Sequence, residues 1–256
     1  MGNSRTLSRR SFLIRGAAVG GTALLGGCDQ LSQSPSFREF LERAEGLIQR
    51  AQRLVLSQRS LAREFTEADI SKHFKANGST GVDDPQYQRA AANGFADWKL
   101  TIDGLVDRPT ELTLAELRAM PSRTQITRHD CVEGWSAIGK WKGAQMAPLL
   151  QSVGLKPEAR YLVFHCADKL SAFSNYYESI DLTDAFHPQT ILAYEMNGAP
   201  LPVPHGAPAR LRVERQIGYK QAKYVQRIEV VASYKMIGDG RGGFWEDRGY
   251  EWYAGI

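Results

Sequence analysis

Cys131 lies in the run Ile126-Thr127-Arg128-His129-Asp130-Cys131-Val132-Glu133-Gly134-Trp135, with His, Asp and Glu as near neighbours. A thiolate in that company is a soft donor suited to a redox metal. The chain has three cysteines, Cys28, Cys131 and Cys166. Two other chemistries stand beside the metal: a disulfide to Cys166, and a thiol nucleophile with His129 as its base. The disulfide is disfavoured because Cys131 has polar surroundings, Cys166 has apolar ones, and the span between them needs no staple. Zinc is disfavoured because the five histidines, His73, His129, His165, His187 and His205, lack the paired spacing of a structural site. No C-x-x-C-H run is present for haem attachment.

A second candidate is His205-Gly206-Ala207-Pro208-Ala209-Arg210, followed by Ile217-Gly218-Tyr219-Lys220-Gln221-Ala222-Lys223. Glycine lets the backbone approach a ligand, and Arg and Lys bind phosphate oxygens. The pattern suits a phosphate-bearing cofactor as well as it suits a turn with solvated charges.

The elements that must position these residues are short. Alternation or apolar runs predict strands over Trp98–Val106, Thr124–His129 leading into Cys131, Tyr161–Cys166, Ile191–Met196, Leu211–Arg215 and Tyr224–Ala232. Helical spacing predicts Leu112–Met120, Met146–Val153 and a turn over Ile180–Phe186, with Asn197-Gly198 as a tight turn and Leu61–Asp84 as loop. Strands and helices without regular alternation predict an α+β fold with mixed sheets. Upstream, Ser36-Phe37-Arg38-Glu39 reads as a capping box opening an amphipathic helix over about 37–57, packed by its apolar stripe on the main body.

The N-terminus reads as an address. Ser8-Arg9-Arg10-Ser11-Phe12-Leu13 resembles a twin-arginine export signal, and Leu25-Gly26-Gly27-Cys28 resembles a bacterial lipobox, with Cys28 lipidated. An ordinary signal peptide with a chance cysteine is the alternative. Asp29 resembles the signal that keeps lipoproteins in the inner membrane. The first 27 residues hold four of the 32 basic residues and no acid, so 28 bases balance 28 acids in the remainder. That balance gives no electrostatic reason to expect nucleic acid as a partner. Twin-arginine substrates cross the membrane folded, which suits a protein loaded with a cofactor beforehand. The expected layout is a signal at 1–27, tether and helix at 28–70, and one domain at 71–256.

Three blocks in order, T-R-H-D-C-V-E-G-W-S, N-G-x-x-L-P-x-x-H-G-A-P-x-R-L-R-V and G-Y-K-x-x-K-Y-V-x-R-I-E, resemble the sulfite oxidase-like molybdopterin family over roughly residues 71–256. The similarity is closest to its branch of periplasmic protein-methionine-sulfoxide reductase catalytic subunits. The resemblance implies molybdenum–molybdopterin as cofactor. It implies Cys131 as the thiolate on molybdenum, and Asn77, Cys166, His205, Arg210, Gln221, Ala222 and Lys223 as cofactor-binding residues. Cys166 departs from the branch, which has a threonine there. His205 stands where the branch has asparagine and sulfite oxidases have histidine.

The run Val132–Ser136 that follows the cysteine lacks the arginine of sulfite oxidases, which disfavours a sulfite dianion. Glu133 reads equally well as a proton-handling group or as a solvated carboxylate. Trp135 and Trp141 read as packing residues, as do Tyr250, Trp252 and Tyr253 in a tail that approaches the site mouth in the family. The appended immunoglobulin-like domain of sulfite oxidases is missing, so a monomer is expected. The implied activity is two-electron oxygen-atom transfer, as reduction of a sulfoxide or related S- or N-oxide. The expected location is the periplasm, anchored to the inner membrane through Cys28, with a membrane cytochrome b-type or other redox protein as electron partner. The alternatives are a sulfite-oxidising enzyme of the same family and a non-catalytic lipoprotein binding module.

Overall fold

A computed structural model of the chain describes residues 34–55, 60–171 and 174–256. Contacts divide the chain into Met1–Leu54 and Val55–Ile256. In the first unit the described element is helix α1, Pro35–Val55. Pro35 takes the first helical position, where no amide partner is required. Ser36, expected to cap the helix, therefore lies inside its first turn. Phe40, Leu47, Ile48 and Leu54 of the apolar stripe are exposed. The export signal and lipobox lie outside the described residues.

The second unit is built on two sheets, one mixed and one antiparallel. One has the order β2-β1-β10-β5-β6. Its strands are β1 (Lys99–Gly104), β2 (Thr110–Thr113), β5 (Tyr161–Lys169), β6 (Asn175–Asp181) and β10 (Val225–Val231). β1 and β10 run parallel, and the other neighbours are antiparallel. The second sheet joins β3 (Ser122–Asp130), β4 (Ser136–Gln145), β7 (Ile191–Met196) and β8 (Ala199–Pro200), with β9 (Arg210–Arg212) also on β7. The helices are short: α2 (Pro85–Ala92), α3 (Leu114–Ala119), α4 (Met146–Val153) and α5 (Leu182–Ala185). This is the α+β fold that the element pattern implies.

Local chemistry sets these elements. β5 carries the apolar run expected of a strand in a sheet core, and Leu162, Val163 and Phe164 are fully buried. Asn197 and Gly198 both have positive φ, 52° and 81°, which closes the β7–β8 hairpin with the twist a two-residue turn requires. Thr113 and Glu116 form a reciprocal cap on α3. Asp84 caps α2 by accepting from Tyr87 N at 2.8 Å, and the Tyr87 hydroxyl donates to Ala207 O at 2.6 Å, tying α2 to the loop before β9. β4 is unforeseen by periodicity. It pairs with β3 over nine residues, then crowds β7 so closely that a Cβ on Gly143 would sit 2.2 Å from Leu192 O.

The described chain from residue 60 already belongs to this unit, ahead of the boundary expected at 71. Phe65 N donates to Ile126 O, Ser71 N donates to Ile138 O, and Arg123 pairs with Glu64.

Candidate active site

β3 turns an unusual face inward. Its buried side chains include Gln125, Thr127 and His129, which are polar. Buried polar groups need partners, and β9 and the residues after it supply them. The Arg212 guanidinium pairs with Glu214 at 2.6 Å, reaches Thr127 Oγ1 at 3.4 Å and donates to His129 Nδ1 at 3.1 Å. Gln125 donates to Glu214 at 2.8 Å. Guanidinium has no lone pair to give, so Nδ1 of His129 is the acceptor and Nε2 carries its proton. Burial, then the Arg212 and Arg210 charges, hold His129 well below its usual pKa. Its other nitrogen is therefore an N–H, which counts against His129 as a base for a Cys131 nucleophile.

Cys131 follows directly on β3 and opens the tight loop to β4. Its N–H donates to Trp135 O at 2.9 Å, and Gly134 N donates back to Cys131 O at 3.0 Å. Gly134 has φ +86°, a conformation glycine adopts without strain. Cys131 is 8% exposed, and burial, with the Glu133 carboxylate adding, pushes its thiol up against the opposing effects of a backbone N–H and Lys75. Glu133 itself is exposed, held by Lys75 at 2.9 Å and by the Trp135 indole at 3.0 Å. That is the solvated reading of Glu133, with a cation attached. Cys131 and Cys166 are both free thiols, so the disulfide is not made. Among the described residues, no cluster of three or more His, Cys, Asp or Glu could hold a metal by itself.

Cys131 lines an open cleft of ≈ 140 Å³. Asn77, Ser79, Asp168, Gln221 and Lys223 line the same cleft, and Tyr176, Tyr219, Trp245 and Tyr250 add an aromatic wall. Five separate pieces of chain therefore converge: the loop before α2, the β3–β4 hairpin, the β5–β6 edge, the short turn Gly218–Lys220, and the C-terminal tail. Gly218 has no room for a side chain, since a Cβ there would meet His129 Nε2 at 2.6 Å and Asp130 O at 3.0 Å.

Behind the cleft lies uncompensated positive charge. Arg210 is fully buried; its Nη1 donates to His205 O at 3.0 Å and Nη2 to Gln221 O at 3.3 Å, while Nε has no partner. Its guanidinium lies 5.1 Å from the Trp141 ring centroid, so Trp141 is a cation-binding platform as well as a packing residue. Among the described residues Arg210 has no carboxylate partner, whereas Arg212 has Glu214. Lys223 points its ammonium at the carbonyls of Asn77 (2.6 Å), Pro204 (3.0 Å) and Ser79. Burial, then Arg212, lowers Arg210 to about 9. Burial, then Arg210, lowers Lys223 to about 7. Burial, Arg210 and Lys223 lower His205 to about 4. Like charges that depress one another would be relieved by an anion.

The expected cofactor residues thus divide. Asn77, Cys131, Gln221 and Lys223 line the cleft. His205 and Arg210 stand behind it, joined to it through the Gln221 carbonyl. Ala222 is fully buried and accepts from Leu211 N at 2.8 Å, so it fixes the backbone of its neighbours rather than facing the cleft. Cys166 is the exception. It is 3% exposed within the hydrophobic core, its thiol directed at Phe164 O, and burial pushes it well up. It does not line this cleft; it borders a neighbouring cavity with His165, Asn175 and Tyr176, and the charges of Asp168, Glu178 and Lys223 reach it. Sequence reasoning missed Ser79, Asp168, Tyr176, Tyr219 and Trp245. Asp168 lies two positions along the strand from Cys166, and that period was the available signal.

The aromatic wall has a charged anchor. Lys220 Nζ is fully buried between Glu178 Oε1 and Glu246 Oε1, each at 2.5 Å. Burial, then the Glu246 charge, pushes Glu178 well up against the pull of Lys220. The anchor ties β6, the Gly218–Lys220 turn and the tail together directly behind the cleft. Trp252 lies over Lys220 at 5.3 Å and donates to Ser179 Oγ at 2.9 Å, so it packs behind the wall, whereas Tyr250 lines the cleft.

The site fits the group its sequence implies: a buried thiol at one end, oxygens on Asn77 and Asp168 with no hydrogen-bond partner among the described residues, and a buried guanidinium, Arg210, with no carboxylate partner among them. Comparison with known proteins bears on the same region. The model of the oxidoreductase molybdopterin binding domain matches residues 87–236. The "Putative protein-methionine-sulfoxide reductase subunit YedZ1" of Azospira oryzae is 38% identical over 248 residues, 97% of this chain and 88% of that protein. The protein-methionine-sulfoxide reductase catalytic subunit MsrP of Ralstonia nicotianae is 33% identical over 177 residues, 65% of this chain; the matched part spans 53% of that relative's length. The sulfane dehydrogenase SoxCD of Paracoccus pantotrophus is 25% identical with a TM-score of 0.49, over 58% of this chain and 45% of that one.

Proposed function

This chain belongs to the family of molybdopterin-binding oxidoreductases, and from that premise we propose that Cys131 and the cleft beside it reduce a sulfoxide at a molybdenum–molybdopterin group. The chain is an oxidoreductase of that cofactor class. The observation that carries the reading is the convergence on one cleft of a buried thiol, Cys131, and a buried ammonium, Lys223, with Arg210 unpaired behind it. When bound, the group supplies a centre that exchanges an oxygen atom and two electrons. The net change is a sulfoxide, two electrons and two protons giving a thioether and water.

The residues of the chain do the rest. Cys131 is the protein's ligand; burial favours its protonated form, so ligation releases that proton. Arg210 and Lys223 neutralise the cofactor phosphate, and Gln221 and Asn77 hold its polar edges. The backbone of Ala222 and the carbonyl of His205 set those cations in place. Trp245, Tyr219 and Tyr250, with Val132 and Leu170, make a mouth suited to the apolar flanks of a thioether and poorly suited to a small dianion. Lys75, the cation on the hairpin side, is already paired with Glu133, which disfavours sulfite. The names of the two protein-methionine-sulfoxide reductase relatives favour methionine sulfoxide as the substrate class.

The export signal and Cys28 support a periplasmic protein anchored to the inner membrane by lipid, drawing electrons from a membrane cytochrome b-type partner. Among the described residues no helix is long and apolar enough to cross a membrane. Native expression followed by metal analysis and a reoxidation screen tests this reading. The reduced protein should contain molybdenum and be reoxidised by methionine sulfoxide and related sulfoxides, while sulfite fails to reduce the oxidised form. A folded protein free of molybdenum, or turnover with sulfite alone, contradicts it.

A further inference from the structure

A second concave surface lies on the other face of β5 from the cleft. Asp168 lines the cleft, whereas Ala167 and Lys169 line a separate groove of ≈ 740 Å³. Side chains alternate along a strand, so the two depressions open on opposite faces of one strand end. The groove follows α2 and crosses the ends of four neighbouring strands: Trp98 and Lys99 at β1, Gln226 at β10, Lys169 at β5 and Asn175 at β6. Three strand spacings make it about 14 Å long, the span of about four residues of extended chain. Gln226 falls where β10 slips against β5, between Val225 and Arg227, and such a bulge re-aims a side chain.

The polar groups of the groove are unevenly spent. Asp84 accepts from Tyr87 N at 2.8 Å, Asp97 accepts from Asn93 at 2.7 Å, and Lys99 pairs with Glu111 at 2.9 Å. Donors are left over. Trp98 is 5% exposed, and its indole N–H is buried without an acceptor. Arg89 and Lys169 have no carboxylate partner among the described residues. A buried donor calls for an oxygen from a ligand, and two cations with no acid to answer them call for carboxylates.

We infer that this groove binds an acidic peptide segment of a partner protein in extended form. A main-chain carbonyl of the segment accepts from Trp98 Nε1, and its carboxylates pair with Arg89 and Lys169. A small anion would answer one cation and leave the length of the groove unfilled. The site needs no cofactor, so it stands apart from the chemistry of the cleft.

Fluorescence anisotropy of a labelled Glu-Gly repeat peptide, titrated with the full chain, tests the assignment. Cofactor-free and cofactor-loaded protein should both bind it saturably, and neither should bind the Lys-Gly counterpart. Arg89→Glu combined with Lys169→Glu, two exposed positions, should unfold as wild type does and weaken binding about tenfold or more. Trp98→Phe keeps a ring and removes the N–H, and should weaken binding about fivefold, the scale of one hydrogen bond. Absence of saturation by about 1 mM protein overturns the inference, as does unchanged affinity in the charge-reversed protein. Displacement by succinate at equal carboxylate concentration also overturns it, since that marks a small-anion site. A failure here leaves the molybdenum reading standing, and a molybdenum-free protein that binds the peptide leaves this inference standing.

Discussion

Lys223 and Glu178 are held in charge states that water would not choose, and they bend stability with pH in opposite directions. Lys223 sits at about 7 in the cofactor-free cleft, against 10.5 for a free lysine. Between those values the unfolded chain binds a proton that the folded chain lacks, so folding stability rises with pH. The slope from this one group approaches about 1.4 kcal/mol per pH unit. Urea unfolding of cofactor-free protein at pH 7.5 and 9 should show a slope that Lys223→Met loses and that bound cofactor flattens, since a phosphate restores the ammonium. An unchanged slope in Lys223→Met contradicts the account of the cation cluster. At this scale, the runs around Cys131 and Lys223 single out two residues that line one cleft. Asp168 was not legible, since it reaches the cleft only where β5 meets the Ser79 loop. Cys166 shares its strand face and its burial, 3% exposed each, yet only Asp168 lines the cleft.

The β3–β4 hairpin and the Lys220 anchor show what elements contribute. β3 was legible from its alternation; β4 was not, because Gly139, Lys140, Lys142 and Gly143 interrupt any apolar period. Its position is dictated instead by close approach. Gly143→Ala would place a methyl against Leu192 O and the Ala193 Cα, backbone atoms that cannot rotate away. Overpacking of that kind should cost at least about 2 kcal/mol in equilibrium unfolding; a loss below half of that means the strands can part without penalty. The anchor makes the converse pH prediction. Glu178, pushed up between Glu246 and burial, keeps a proton that the unfolded chain releases above the ordinary carboxylate range. Stability from this group is therefore present at low pH and falls as pH rises towards its folded pKa. Glu178→Gln should remove that fall, and a variant with the wild-type pH profile would show that Glu178 ionises freely.

At the scale of the whole molecule, a mixed sheet and an antiparallel one bring five segments to one cleft, and the short helices serve as braces. The α+β class was legible because strands and helices do not alternate; the sheet pairing was not, since the parallel β1–β10 contact joins residues more than a hundred positions apart. Cys28 belongs to this scale as well. If it bears lipid, Cys28→Ser should move the protein from the membrane fraction to the soluble periplasm with its molybdenum content unchanged; continued membrane association would point to α1 or a partner as the anchor. The central claim concerns the holoenzyme: the sulfur of Cys131 binds the metal. Molybdenum-edge X-ray absorption of wild type and Cys131→Ser measures this directly. The account predicts that the variant retains pterin and loses one sulfur neighbour at molybdenum together with its turnover. Equal sulfur counts in the two proteins would contradict it.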